Sequence, residues 1–195
     1  MNRRNFVLKT AAATVAASLT LAGCTTTPGS GKSPETDVSK RQAIDASVDG
    51  TLTRLFSTVQ GSRELASKAQ GVLVFPDVKK AAFIVGAEHG EGALRVGGKT
   101  EGYFATSAAS FGLQAGAQST AVIFLFMTQD SLDKFRNAAG WSVGGDVAVS
   151  VVKVGANGSI DTTSASSQVV ALVLTNTGLM ADVSLSGTKV TRLNL

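Results

Sequence analysis

GVLVFPDVKKAAFIVGAEHGEGALRV (Gly71–Val96) and FGLQAGAQSTAVIFLFM (Phe111–Met127) bound the stretch that decides the fold. Val72-Leu73-Val74-Phe75, Ala82-Phe83-Ile84-Val85 and Ala121-Val122-Ile123-Phe124-Leu125-Phe126 are β-branched or aromatic runs, too short for independent helices. Runs of this length between turn residues read as buried strands. Gly86, Gly90, Gly92, Gly112 and Gly116 inside or beside them mark bulges, bends or a close second backbone. Pro76-Asp77 reads as a turn, and Glu88-His89-Gly90-Glu91-Gly92 as a polar connection.

Downstream residues extend the same sheet. Tyr103-Phe104 and Phe111-Gly112-Leu113 read as strands, and the unbroken apolar run Ala121–Met127 as a central strand covered on both faces. Thr128 begins a short helix that is acidic in its first turn and ends near Gly140. Asp146–Val154 alternates with the period of a strand, and Asn157-Gly158 is a two-residue hairpin signal. Three runs, Gln168–Leu174, Leu179–Leu185 and Thr188–Leu193, predict a closing antiparallel meander.

Upstream the period changes. Val38, Ile44, Val48, Leu52, Leu55, Phe56 and Val59 recur at helical spacing, with Asp37 as cap and Gly61 past the end. Lys40, Arg41, Asp45, Asp49 and Arg54 form a mixed-charge face, which favours a helix docked on its own sheet over one lying in a bilayer. Ser62–Ala69 reads as a second helix with Ser62 as N-cap. The expected fold is α+β: a curved, mainly antiparallel, barrel-like sheet covered by N-terminal helices, in residues 36–195.

Residues 1–23 read as an export signal. Arg3, Arg4 and Lys9 precede the uncharged run Thr10–Ala22, shorter than the ~20 residues of a membrane span. Arg3-Arg4-Asn5-Phe6-Val7-Leu8-Lys9 also resembles a twin-arginine signal. Leu21-Ala22-Gly23-Cys24 is a lipobox, in which Cys24 takes a diacylglycerol and its new amine an acyl chain of the palmitate kind. Each buried methylene adds ~0.8 kcal/mol, so several chains hold the protein permanently. Thr25 after the cysteine directs such proteins to the outer membrane, here facing the periplasm. The Thr/Ser/Gly/Pro segment that follows, within residues 24–35, is a flexible tether.

The formal charge of +4 belongs mostly to that leader. Without Arg3, Arg4 and Lys9, 15 basic residues face 14 acidic ones, a net charge of +1. A near-neutral body with one Trp and one Tyr has no nucleic-acid footprint. His89 is the one histidine and Cys24 the one cysteine, which leaves only a carboxylate-dominated metal site; a Ser-His-acid triad would have to use His89, and no Gly-x-Ser-x-Gly elbow is present. Asp77, Glu88, Glu91, Asp130, Asp133, Asp146, Asp161 and Asp182 show no spacing that selects an acid–base pair. Gly86-x-x-x-Gly90-x-Gly92 is neither a dinucleotide fingerprint nor a P-loop. No catalytic residue, metal or cofactor is expected.

Gln70–Pro76, Ala81–Gly86, Gly90-Glu91-Gly92, Phe111–Gln118, Gly178-Leu179 and Val183–Gly187, in this order, resemble the SYLF domain across roughly Ser57–Leu195. That family includes yeast actin-binding proteins and bacterial lipoproteins. The resemblance implies a non-enzymatic domain that binds lipid, partly through an amphipathic N-terminal helix and basic residues. Gly102-Tyr103-Phe104 departs from the family's Gly-Trp followed by proline, and Val170-Ala171-Leu172-Val173 replaces its tyrosine-bearing strand.

The combined expectation is an envelope lipoprotein attached through Cys24, whose domain binds phospholipid by anionic head group or acyl chain. Arg63, Lys68, Lys79 and Lys80 are its candidate head-group contacts. The alternative is a structural or protein-binding lipoprotein with no lipid beyond its anchor.

Overall fold

A computed structural model describes residues 34–82, 85–111, 116–152, 160, 167–176, 178–180 and 183–195. The export signal, Cys24, the tether up to residue 33 and Asn157-Gly158 lie outside the described residues.

The N-terminal helix α1 (Pro34–Thr58) begins three residues ahead of Asp37. Pro34 lacks the amide proton that a first turn leaves unpaired, so it starts the helix at no cost. Asp37 therefore sits inside the first turn, where with Glu35 it meets the positive end of the helix dipole. Of the expected stripe, Ile44, Val48, Leu55 and Val59 are buried, whereas Val38 is 47% exposed because it precedes the docked part of the helix. The second helix α2 (Ser62–Lys68) is capped by Gly61 in a left-handed conformation. Ser62 is not the N-cap: its buried hydroxyl donates to the carbonyls of Leu55 at 3.1 Å and Val59 at 2.6 Å, tying α2 to the end of α1.

Among the described residues, nine strands form one strongly curled, half-barrel sheet: β1 (Gly71–Ala82), β2 (Val85–Val96), β3 (Lys99–Phe111), β4 (Gly116–Phe126), β5 (Trp141–Ser142), β6 (Val149–Val151), β7 (Val169–Thr175), β8 (Gly178–Leu179) and β9 (Lys189–Leu193). Their spatial order is β5-β9-β3-β2-β1-β4-β7-β6, with β8 also on β7. All pairs are antiparallel except β6 with β7, which makes the sheet mixed. The fold is α+β, as expected.

Three expectations about the sheet differ from the structure. The C-terminal runs are not a meander, because β9 crosses the molecule to pair with β3 rather than with β7 or β8. Pro76-Asp77 is not a turn and Glu88–Gly92 is not a connection, since both lie within the long β1 and β2 strands. Between Phe75 and Val78, β1 carries one residue more than β4 opposite it, and it carries one more than β2 between Val74 and Lys79. Pro76 and Asp77 both fall out of the register at this bulge, so the donor that proline lacks is not missed from the ladder. Glycine is required opposite: a Cβ on Gly92 would lie 1.9 Å from the Val74 carbonyl oxygen. Ala82 ends β1 and Val85 begins β2, and Phe83-Ile84, the middle of the expected Ala82–Val85 strand, lie outside the described residues.

Alternation along the strands supplies two cores. Leu73, Phe75, Val122, Phe124, Phe126, Val169 and Ala171 face the side covered by α3 (Gln129–Asn137) and Trp141. There Phe124, Phe126, Phe135 and Trp141 meet at centroid distances of 4.9–6.0 Å, mostly edge to face. Val74, Ile123, Leu125, Val170, Leu172 and Leu174 face the opposite side, under Ile44, Val48 and Leu55 of α1 and Leu65 of α2. The strand Ala121–Phe126 is buried on both faces, as its unbroken apolar run predicts. Thr128 caps α3, accepting from the Ser131 amide at 3.2 Å.

Candidate functional site

The polar face of α1 is a clasp on the sheet. The Tyr103 hydroxyl of β3 donates to Asp45 Oδ2 at 2.8 Å, and the Thr100 hydroxyl to Asp45 Oδ1 at 2.7 Å. Arg95 of β2 reaches Asp45 at 3.3 Å and Asp49 at 2.7 Å, and it donates to Thr100. Its Nε is buried without a hydrogen-bond partner among the described residues. Burial, and then the adjacent Asp45 carboxylate, push the Tyr103 hydroxyl above its ordinary pKa. Nearby, Lys40 of α1 pairs with Glu91 of β2 at 2.6 Å.

Beside this clasp a cavity of about 400 Å³ lies between α1, α2 and the β2–β3 turn. Its walls include Leu52, Phe56, Ala66, Ala69 and Val72, half-buried apolar residues at the margin of the core beneath α1. Asp49 and Arg95 border it, as do Gly97 and Gly98, whose φ values of 56° and 79° suit a tight hairpin turn. On its rim the Arg63 guanidinium lies 4.6 Å from the centroid of the Phe56 ring. A second cavity of about 330 Å³ sits at the β1 bulge, where Lys40, Pro76, Asp77, Lys79, His89 and Glu91 converge.

The four basic residues singled out from the sequence do not form one cluster. Lys68 pairs with Glu64 one turn earlier at 2.8 Å, and that contact holds the Glu64 carboxyl below its ordinary pKa. Lys80 pairs with Glu88, its direct cross-strand neighbour, at 3.2 Å. Lys79 lies 3.5 Å from Asp77. Eight strand residues at ~3.3 Å each put Lys79 on the order of 25 Å from the Gly71 end of β1. Arg63 alone of the four borders the apolar groove, and it makes no ion pair among the described residues.

Residues 107–194 match the Ysc84 family model, described as a Las17-binding protein actin regulator. Over these residues the chain is similar to the SYLF family. No curated protein matches the chain. The matched segment runs from the end of β3 through β9 and includes Phe111–Gln118 and Gly178–Gly187. The groove, built from residues between Asp49 and Gly98, lies wholly ahead of that SYLF match. Sequence reasoning found Arg63 but missed Asp45, Arg95, Thr100 and Tyr103. Asp45 and Asp49, one helical turn apart, were the available signal; their partners lie about fifty residues away.

Proposed function

We propose that this chain is an outer-membrane lipoprotein, attached through Cys24, whose SYLF domain binds membrane phospholipid without catalysing a reaction. One observation carries the reading: Arg63, in no ion pair among the described residues, lies on Phe56 at the rim of an apolar groove. A guanidinium beside an apolar trough complements an amphiphile, the phosphate meeting the cation and the acyl chain meeting Ala66, Ala69 and Val72. The lipobox and the family's lipid-binding members point the same way. Among the described residues no cluster of three or more metal-ligating side chains exists, and no helix is long and apolar enough to cross a membrane.

The test is flotation of the full chain carrying Cys24→Ser with phospholipid vesicles, beside the same chain with Arg63→Glu added. The leader contributes equally to both, so the difference reports the groove. The wild-type groove should give several-fold more floated protein; equal flotation of the two chains would overturn the reading. The family description names protein ligands, which favours a second reading, a partner-binding lipoprotein. That reading gains if Arg63→Glu changes nothing and crosslinking in cells returns one stoichiometric envelope protein.

A further inference from the structure

We infer that the groove takes a zwitterionic aminophospholipid, a lipid whose phosphate is followed after a short spacer by a primary ammonium. The inference rests on the phospholipid reading above and narrows it to a head-group class.

The order of charges along the groove carries it. Asp49, Leu52 and Phe56 follow one another at helical spacing and all three line the groove. Seven residues at 1.5 Å each set Asp49 ~10 Å from Phe56 along the axis of α1. The Arg63 guanidinium rests on Phe56. A cation therefore marks one end of the stripe, a carboxylate the other, and Leu52 stands between.

Neither end is spent. The Asp49 side chain is 68% exposed, and only its Oδ1 accepts from Arg95. Its second oxygen has no partner among the described residues. The charge of Arg95 is already matched by Asp45 and Asp49. What the groove offers a ligand is thus one positive group, Arg63, and one negative group, Asp49. Charge-assisted contacts of ~2.8 Å at each end leave several ångströms between them, the reach of the O–C–C spacer of an ethanolamine phosphate.

This arrangement disfavours the alternatives for stated reasons. A purely anionic head group would bring a second negative charge toward the Asp49 carboxylate, whose one cationic neighbour, Arg95, is already shared with Asp45. A choline head carries its charge inside three methyl groups and cannot donate to Asp49, whereas a primary ammonium has three donors. The half-buried Ala66, Ala69 and Val72 then line the path of the glycerol and acyl segment.

Calorimetric titration of the full Cys24→Ser chain with short-chain, monomerically soluble lipids tests the assignment. The probes are dihexanoyl phosphatidylethanolamine, phosphatidylcholine and phosphatidylglycerol, with inorganic phosphate as the headless control. Phosphatidylethanolamine should bind roughly tenfold more tightly than the other two lipids, the weight of one charge-assisted hydrogen bond. Asp49→Asn, which keeps an acceptor for Arg95, should erase that preference and bring ethanolamine and choline lipids together. Ala66→Trp fills the groove without touching either charge and should abolish binding of all three.

Equal wild-type affinities for the three lipids, or a preference for phosphatidylglycerol, would overturn the aminophospholipid assignment while leaving phospholipid binding intact. Binding of inorganic phosphate as tight as that of phosphatidylethanolamine would reduce the site to a bare phosphate site and also overturn it. No binding of any lipid would overturn this inference and the phospholipid reading together.

Discussion

Tyr103 and Asp45, on β3 and α1, meet through a hydrogen bond of 2.8 Å that spans 58 positions of sequence. Asp45 also accepts from Thr100 and pairs with Arg95, so one carboxylate joins the helix to two strands. The hydrophobic contacts of Ile44, Val48 and Leu55 hold α1 against the sheet, and this clasp fixes its axial position. That registry also sets where Asp49 and Phe56 stand beside the groove.

Alkaline titration should read the clasp directly, because Tyr103 is the chain's one tyrosine. Its pKa is raised from 10.0 in the folded state, by burial first and by Asp45 second. A raised pKa means that the fold favours the protonated hydroxyl. This contribution to stability is fully present below pH 10 and is lost as the pH rises through the higher folded value. Tyrosinate absorbance of the native protein should therefore show a midpoint above that of the urea-unfolded chain. Asp45→Asn should lower the native midpoint only in part, since burial remains. Coincident native and unfolded midpoints would refute the prediction.

Asp45→Ala should be the costlier change at this junction. It strands the hydroxyl donors of Tyr103 and Thr100 and takes from Arg95 one of its two carboxylate partners, and leaving part-buried donors unmet costs about 1–3 kcal/mol. Tyr103→Phe removes a donor together with its need for a partner and should cost about 1 kcal/mol or less. Urea unfolding of both single variants and the double variant measures the two. The double variant should be less destabilised than the sum, because the residues share one hydrogen bond.

Much of this architecture is visible in the sequence, and what is hidden is hidden for physical reasons. Ala121–Phe126 announces a doubly covered strand because six successive apolar side chains must face two cores. The α1 stripe is equally legible, as its period matches one buried face. Gly90 and Gly92 mark the close second backbone that the sequence suggests, letting β2 press against the bulged backbone of β1, while the polar residues around them disguise a strand as a connection. The crossing of β9 to β3 leaves no local trace, because pairing across the molecule depends on the closure of the whole sheet. At the site, the neutralisation of Lys68 by Glu64 was readable from their four-residue spacing. The clasp that joins Asp45 to Arg95 and Tyr103 was not, since nothing local links α1 to the β2–β3 hairpin.

The proposed attachment through Cys24 gives a separate prediction. Intact-mass measurement of the membrane-extracted protein should show a chain that begins at Cys24 and carries a diacylglyceryl group and one further acyl chain. Cys24→Ser removes the sulfur that takes the diacylglycerol, so cleavage before residue 24 should fail. A native protein with an unmodified Cys24 thiol in the membrane fraction would contradict the anchor.

Two glycine substitutions should move stability in opposite directions, and together they test the bulge. Gly50 lies in α1 with nothing within 4 Å of an added Cβ, so Gly50→Ala gains helix propensity at no steric cost. It should stabilise the protein by roughly 0.5–1 kcal/mol. Gly92 stands opposite the β1 bulge, where an added Cβ would lie 1.9 Å from the Val74 carbonyl oxygen and 2.8 Å from the Phe75 ring. The obstacle is backbone on a central strand, which cannot swing aside as a side-chain tip would. Gly92→Ala should therefore cost at least about 3 kcal/mol, at the upper end of overpacking effects, or prevent folding. Thermal unfolding followed by circular dichroism separates the two outcomes. A Gly92→Ala protein as stable as the parent would mean that β1 and β2 do not approach as closely as the bulge requires.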